Sequence, residues 1–304
     1  MRFHQAVTFL PTLHALELAK AADTQGYDGI YVSDHMFFPR DRRSRYTYST
    51  REDGAPGFGD HWDPDTHWPD AWCLIYAMAA VTEHLQFTTG VYIAPARDLM
   101  TVAKQVGTAA VLSSGRVALG VGVGWCEEEF VATGQDFHTR GKRLDDMIPA
   151  LRALWAGDGD WVEYHGPYYD VPAMRMEPSP PGPIPIIGGG HSAPALRRAA
   201  ALCDGWVAAG AYQPDQARTY LAELAEQRRV AGREHEPFSI YLSLWARPDA
   251  ELYRSFEEDF GVTDTLCAPA MVAKVDPSDP PEVQLQARLD ASARFADEIL
   301  AKMR

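Results

Sequence analysis

Short, wholly apolar runs alternate along this chain with stretches whose apolar positions recur every three or four residues. The first run, Phe3 to Leu10, is β-prone, and Pro11 to Gln25 follows with Leu13, Leu16, Ala19 and Ala22 on one helical stripe. Gly26 ends that helix and Gly29 to Ser33 forms the next strand. Pro69-Asp70 opens an apolar helix reaching Thr82, before a strand at Leu85 to Ile93 and a helix at Leu99 to Leu112. Val117 to Val123 reads as a strand, and Glu127 to Trp155 as a helical region broken around Gly134 to Gly141. Trp161 to Tyr169 has the pattern of a hairpin turning at His165-Gly166, and a Pro-rich stretch spans Pro178 to Pro185. The alternation then resumes with strands at Ile184 to Ile187, Gly205 to Ala209, Phe238 to Trp245 and Thr263 to Cys267. Their partner helices fall at Ala193 to Leu202, Asp215 to Ala231, Glu251 to Asp259 and Pro281 to Lys302.

That is about eight βα units, the number a closed parallel barrel requires. The strands do not alternate polar with apolar residues, as expected when both faces of a sheet are covered. The pattern predicts an α/β protein with one (β/α)8 TIM-barrel domain over residues 1–304 and insertion loops at the C-terminal face of the barrel. An open doubly wound sheet is the competing arrangement. Two stretches exceed ordinary connections: a lid-like insertion at residues 37–68 and a hairpin insertion at residues 158–183.

Composition narrows the class. Of 304 residues, 46% are apolar and 23% charged, the balance of a soluble globular chain. Lysine and arginine total 28 against 42 acidic residues, a net charge of −14 that argues against nucleic acid or an anionic membrane as principal partner. The four cysteines, Cys73, Cys126, Cys203 and Cys267, are too scattered for a zinc site or a disulfide framework. No basic-then-apolar leader precedes the first strand, and the longest apolar run, Ala71 to Val81, is too short to cross a bilayer. A cytoplasmic protein is the expectation.

Barrel chemistry sits at the C-terminal ends of the strands. Strand two ends in Ser33-Asp34-His35, and strand three carries Thr88-Thr89-Gly90-Val91. Strand four ends in Gly122-Val123-Gly124-Trp125-Cys126-Glu127-Glu128-Glu129, and strand five in Gly188-Gly189-Gly190-His191-Ser192 before a helix. Glycines there let backbone amides approach a phosphate, and the helix start adds free N–H groups; the run equally suits tight packing of strand on helix. His35 is the best acid–base candidate, with a locally satisfied strand-end histidine as the alternative. If the strand continues through both residues, Asp34 and His35 point to opposite faces. The three glutamates open a helix, where the dipole alone explains most of them. His61, Asp63, Asp65 and His67 alternate in the long loop, but the adjoining Trp62, Pro64 and Trp68 point to a structured aromatic loop and no metal is expected. Arg40, Arg42, Arg43, Arg45 and Arg51 could hold an anionic substrate or form a solvated face. No Ser-His-Asp set with an elbow motif is present, so a hydrolase lacks its nucleophile.

Further stretches complete a pattern: Gly26-Tyr27-Asp28-Gly29-Ile30, Leu119-Gly120-Val121-Gly122-Val123-Gly124-Trp125, Arg143-Leu144-Asp145 and Leu154-Trp155. To these add His165-Gly166-Pro167-Tyr168-Tyr169, Pro185-Ile186-Ile187-Gly188-Gly189, Ala195 to Ala200 and Asp204-Gly205-Trp206. In order and spacing the chain resembles the luciferase-like monooxygenase superfamily, and within it the branch that uses the deazaflavin coenzyme F420. The resemblance is strong to Ala209 and weaker beyond.

It implies a (β/α)8 barrel that binds the ring system in its mouth, with Asp34 and His35 near the ring or the substrate. It further implies a non-prolyl cis bond at Gly90-Val91 behind the ring, and the cofactor phosphate on the loop of Gly188, Gly189, Gly190, His191 and Ser192. The sugar-phosphate dehydrogenases of that branch have a glutamate where this chain has Trp125, and a tryptophan where it reads Met36-Phe37-Phe38-Pro39. Phe37, Phe38 and Trp125 therefore point to a small, apolar organic substrate. The implied reaction is hydride transfer to or from the deazaflavin, with His35 moving the accompanying proton and the 37–68 insertion closing the mouth. A monooxygenase using reduced FMN and oxygen, and a non-catalytic barrel that binds a flavin or another ligand, are the alternatives. The resemblance also implies a homodimer, for which the apolar helix of Trp72, Leu74 and Tyr76 is the candidate interface.

Overall fold

The computed structural model describes residues 1–46 and 62–304. Eight parallel strands close on themselves in the order β1, β10, β9, β8, β7, β4, β3, β2, which excludes the open sheet. Their spans are β1 Arg2–Ala6, β2 Gly29–Val32, β3 Gln86–Thr89, β4 Val117–Val121, β7 Ile186–Gly189, β8 Gly205–Tyr212, β9 Ser239–Leu244 and β10 Asp264–Cys267. The helices outside the barrel are α1 Thr12–Gln25, α2 Ala71–Ala79, α3 Leu99–Leu112, α4 Glu127–Ala132, α5 Arg140–Trp155, α6 Ala193–Leu202, α7 Pro214–Val230, α8 Ala250–Phe260 and α9 Pro281–Phe295. The fold is the expected (β/α)8 barrel.

Local chemistry sets the boundaries. Gly26 closes α1 at φ 88°, in the left-handed region where a side chain is costly. Asp70 and Asp98 cap α2 and α3 by accepting from Cys73 N at 2.9 Å and Thr101 N at 2.8 Å. Strand β3 stops at Thr89, four residues short of the sequence expectation. There the Gly90–Val91 peptide bond is cis, as the resemblance implies, and a 3-10 turn at Ala94–Ala96 follows.

The seam of the barrel joins the first strand to the last, with Phe3 paired to Thr265 and His4 to Leu266. Inside it, Asp264 Oδ1 lies 2.6 Å from His4 Nε2 and Oδ2 accepts from Arg2 Nη2 at 2.8 Å. Burial works to raise the Asp264 pKa, but its bonds to His4 and Arg2 outweigh it and hold the carboxyl below its ordinary value.

The hairpin lies further along than its sequence suggested: β5 Val162–His165 pairs antiparallel with β6 Asp170–Met174, and residues 166–169 make the turn. Asp146 on α5 fixes that turn, accepting from Tyr164 Oη at 2.6 Å, Tyr168 N at 2.7 Å and Tyr169 N at 2.9 Å. Gly166 is required beneath it, since a Cβ there would stand 2.2 Å from Asp146 Oδ1.

Helix α2 does not offer the interface expected of it. Trp72 is fully buried, Leu74 is buried, and the Tyr76 hydroxyl donates to Gln105 O at 2.7 Å. Deleting a buried tryptophan side chain costs about 3–5 kcal/mol, so these residues belong to the core.

Candidate active site

The floor of the barrel mouth is built from residues with little or no side chain. A Cβ on Gly90 would fall 1.4 Å from Tyr31 Cζ, and one on Gly120 1.8 Å from Thr89 O. The Val91 side chain wedges between Gly122 and Gly189, where added Cβ atoms would come 2.3 Å and 2.2 Å from its methyl groups. Gly90, Val91 and Gly189 keep partial exposure, so this surface opens into the mouth.

Asp34 and His35 leave β2 above that floor and take separate partners. Asp34 is buried and accepts bidentately from Arg97, at 2.6 Å on Oδ2 and 2.8 Å on Oδ1, with Ile93 N donating at 2.9 Å. Burial holds the Asp34 carboxyl above its ordinary range, against the pull of the Arg97 guanidinium. The two-pronged geometry favours the charged pair, and Arg97 stands above its ordinary pKa because the Asp34 charge outweighs the effect of burial. Breaking such a buried pair from one side costs about 3–5 kcal/mol.

His35 Nδ1 lies 3.2 Å from each oxygen of Glu129, whose side chain is wholly enclosed. Glu129 Oε1 also accepts from Met36 N at 2.6 Å. The imidazole stacks on Trp62 at 4.1 Å between centroids and 20° between planes. Trp68 and Trp125 meet it edge-on at 4.9 and 5.6 Å. Phe38 packs against Trp62 at 5.3 Å, and the Arg42 guanidinium lies over the rings of Phe38, Trp62 and Trp125 at 5.4, 5.3 and 5.7 Å. The indole N–H groups of Trp62 and Trp68 are buried and have no acceptor among the described residues. Phe37, expected beside them, is instead turned outward and exposed.

The cover is anchored on both sides. Glu128 Oε1 accepts from Arg43 N at 2.6 Å and Ser44 N at 3.2 Å, and Ser44 Oγ accepts from Glu127 N at 2.9 Å. Burial is the largest single influence and opposes its charge, but the hydrogen bonds from the Arg43 and Ser44 backbone and the Ser44 side chain together pull Glu128 down to about 2. Across the mouth, Tyr46 packs on Trp125 at 5.2 Å and donates to Ala209 O on β8 at 3.1 Å. Residues 47–61 of the expected lid, with Arg51 and His61, lie outside the described residues. Asp63 accepts from Asp65 N at 3.0 Å and Thr66 Oγ1 at 2.7 Å, while His67 Nδ1 meets Thr12. No metal-binding group of side chains occurs among the described residues.

On the far side, the glycine run divides. Gly188 packs on Ala199 and Cys203, where a Cβ would stand a tight 3.0 Å from both, and Gly189 packs on Val91, so close packing explains these two. Gly190 turns at φ 111° and delivers His191 and Ser192 to the start of α6. His191 Nδ1 bonds Tyr212 Oη at 2.7 Å and its ring stacks on Tyr220 at 4.7 Å; burial lowers its pKa. Ser192 stands at the N-cap position, yet its hydroxyl makes no bond to the first turn. Two surface clefts of about 400 and 200 Å³ lie at the opposite end, beside Pro185, Phe238 and Ser239 and beside Ser114, Val117 and Ile184. They sit before the strands begin, away from the end where barrels carry their chemistry.

The family model for luciferase-like monooxygenases matches residues 10–251. The chain belongs to that family. An uncharacterized protein from Mycobacterium tuberculosis is 35% identical over 303 residues, all of both chains. An F420-dependent glucose-6-phosphate dehydrogenase of Nakamurella multipartita is 25% identical over 288 residues, 93% of this chain and 74% of its own. Among solved structures, monooxygenase RslO1 from Streptomyces bottropensis superposes with a TM-score of 0.72 at 15% identity, covering 100% of both chains. An F420-dependent secondary alcohol dehydrogenase gives 0.63 at 19%, covering 96% of this chain and 83% of its own, and at such identities these two show the shared fold. Membership of the luciferase-like family supports an oxidoreductase or monooxygenase.

Two residues of this luciferase-like site escaped the sequence reading: Arg97 and Glu129. Glu129 carried a signal, because it shares a helix face with Cys126, Phe130 and Thr133, whereas Glu127 and Glu128 point elsewhere. Arg97 ends the apolar run Val91-Tyr92-Ile93-Ala94-Pro95-Ala96 beside Asp98, and nothing in the sequence tied it to Asp34 instead. Cys126 is no nucleophile: burial, then the Glu129 charge, push its thiol up to about 12.

Proposed function

We propose that this protein is an F420-dependent oxidoreductase that transfers a hydride between the deazaflavin and a small, apolar organic substrate. The observation that carries the reading is a histidine at the C-terminal end of β2, within an aromatic enclosure, at a barrel mouth floored by glycines around Val91. The residues present fit such a cofactor. A flat ring needs a flat bed, and the glycines around Val91 supply one; any Cβ at Gly122 or Gly189 would displace that valine. A phosphate needs donors, and the uncapped start of α6 at Ser192 has them, with Gly190 and His191 alongside. Bound there, the deazaflavin would supply a two-electron hydride donor or acceptor.

The chain's own part is positioning, water exclusion and proton movement. Trp62, Trp68, Trp125 and Phe38 wall the space around His35 with apolar surface, which favours an apolar substrate. Residues 36–46 cross the mouth to Ala209 and keep water from it. His35 carries the proton that accompanies the hydride. Asp34 is committed to Arg97 and holds the strand end in place.

Fluorescence titration of the apoprotein with F420 and with FMN tests the reading. Binding of F420 supports it, and binding of FMN alone would replace it with the monooxygenase that uses reduced FMN and oxygen. Binding without turnover over a broad set of alcohols, ketones and enones would favour a binding barrel.

A further inference from the structure

Glu129 is a buried carboxylate at the mouth for which hydride transfer has no direct use. Its partners among the described residues are His35 Nδ1 and Met36 N, and it meets no lysine or arginine. A carboxylate of this kind accepts only, so the hydrogen on the shared axis belongs to Nδ1. That leaves Nε2, which bonds nothing among the described residues. We propose that Glu129 is the positioning residue of this site: it fixes the His35 proton on Nδ1 and turns the Nε2 lone pair to the substrate. In its neutral form, an imidazole so oriented takes a proton from substrate at Nε2.

The inference rests on the reading of His35 as proton carrier. In the step, an X–H bond of the substrate breaks, its electron pair stays on the substrate, and an N–H bond forms at Nε2. Glu129 stays ionised opposite the imidazolium so created. The other charged groups around the pair are Asp34, neutralised by Arg97, Arg42 above the tryptophans, and Glu128 in the same turn of α4.

Glu129→Gln makes the test. The one remaining side-chain oxygen is claimed by Met36 N, which leaves the amide NH2 against Nδ1. The amide NH2 replaces Oε2 beside Nδ1, while Oε1 stays 3.2 Å away, and a donor there favours the tautomer with the ring proton on Nε2. Nitrogen-15 spectra of histidine-labelled apoprotein, with His35→Ala to assign the signal, read this directly across the pH range in which the fold is intact. We expect a protonated Nδ1 and bare Nε2 in the natural protein and in Glu129→Asp, and the reverse in Glu129→Gln. In enzyme loaded with F420, Glu129→Gln should lose about 10²–10⁴-fold in kcat with little change in KM, and Glu129→Asp should regain part of it. The pH profile of kcat should change shape in Glu129→Gln only. A natural protein with its His35 proton on Nε2, or a Glu129→Gln protein with unchanged ring signals, would overturn the proposal. An inverted ring with natural turnover would overturn the proton role of His35, whatever cofactor binds.

Discussion

At the scale of single residues, His35 carries the chemistry and its neighbours decide what it can do. His35→Ala is expected to lower turnover about 10²–10⁴-fold while cofactor affinity changes less than tenfold, because the floor and the α6 loop are untouched. Steady-state kinetics beside a cofactor titration check this; natural turnover with an unchanged pH profile would remove His35 from the reaction. The sequence pointed to His35 and Asp34 because strand ends are where barrels place reactive groups. It could not show that they part company, one to Glu129 and one to Arg97. Those partners stand 94 and 63 positions away, and only the closure of the barrel brings them near. Trp125 was legible as an apolar substitute in the mouth, whereas Phe37 and Phe38 were indistinguishable until the backbone turned one outward.

Among the elements, α4 is a short helix with a large share of the cover. Glu128 ties it to the loop at Arg43 and Ser44, and its carboxyl is depressed from 4.5 to about 2 in the fold. A depressed acid stabilises the fold fully above its unfolded pKa, and that contribution fades as the pH falls through about 2. Tryptophan fluorescence is therefore expected to report release of the loop between pH 4.5 and about 2 in the natural protein. In Glu128→Gln the loop is already loosened at neutral pH and that transition is absent; an identical acid limb in both would exclude the tie. A second expectation concerns β3 and β7. Gly189→Ala should destabilise the protein by about 1–3 kcal/mol through overpacking against Val91, and Val91→Ala should relieve it in the double variant. Additive losses in urea melts would contradict the contact. Periodicity gave α3 and α6 to the residue, because Asp98 and the Ser192-Ala193-Pro194 start mark helix beginnings that need no tertiary information. It overran β3 because Val91, Tyr92 and Ile93 are as apolar as a strand, though the chain turns there. It misplaced the hairpin because the turn is fixed by Asp146 on a distant helix.

For the whole molecule, the barrel was readable from eight repeats of one local rhythm, and assembly was not. A homodimer remains our expectation, with a contact that leaves Trp72 and Leu74 in the core. Light scattering at micromolar concentration should return twice 33.7 kDa; the monomer mass would exclude it. The ring also has a kinetic side. His4 and Asp264 bond across 260 positions of chain, so the seam can form only after the intervening units have collapsed. Until then β1 and β10 are two open edges, each a template for the wrong strand. The rate-limiting barrier should be crossed before that seam zips. Asp264→Asn is accordingly expected to speed unfolding and leave the refolding arm of a chevron where it was.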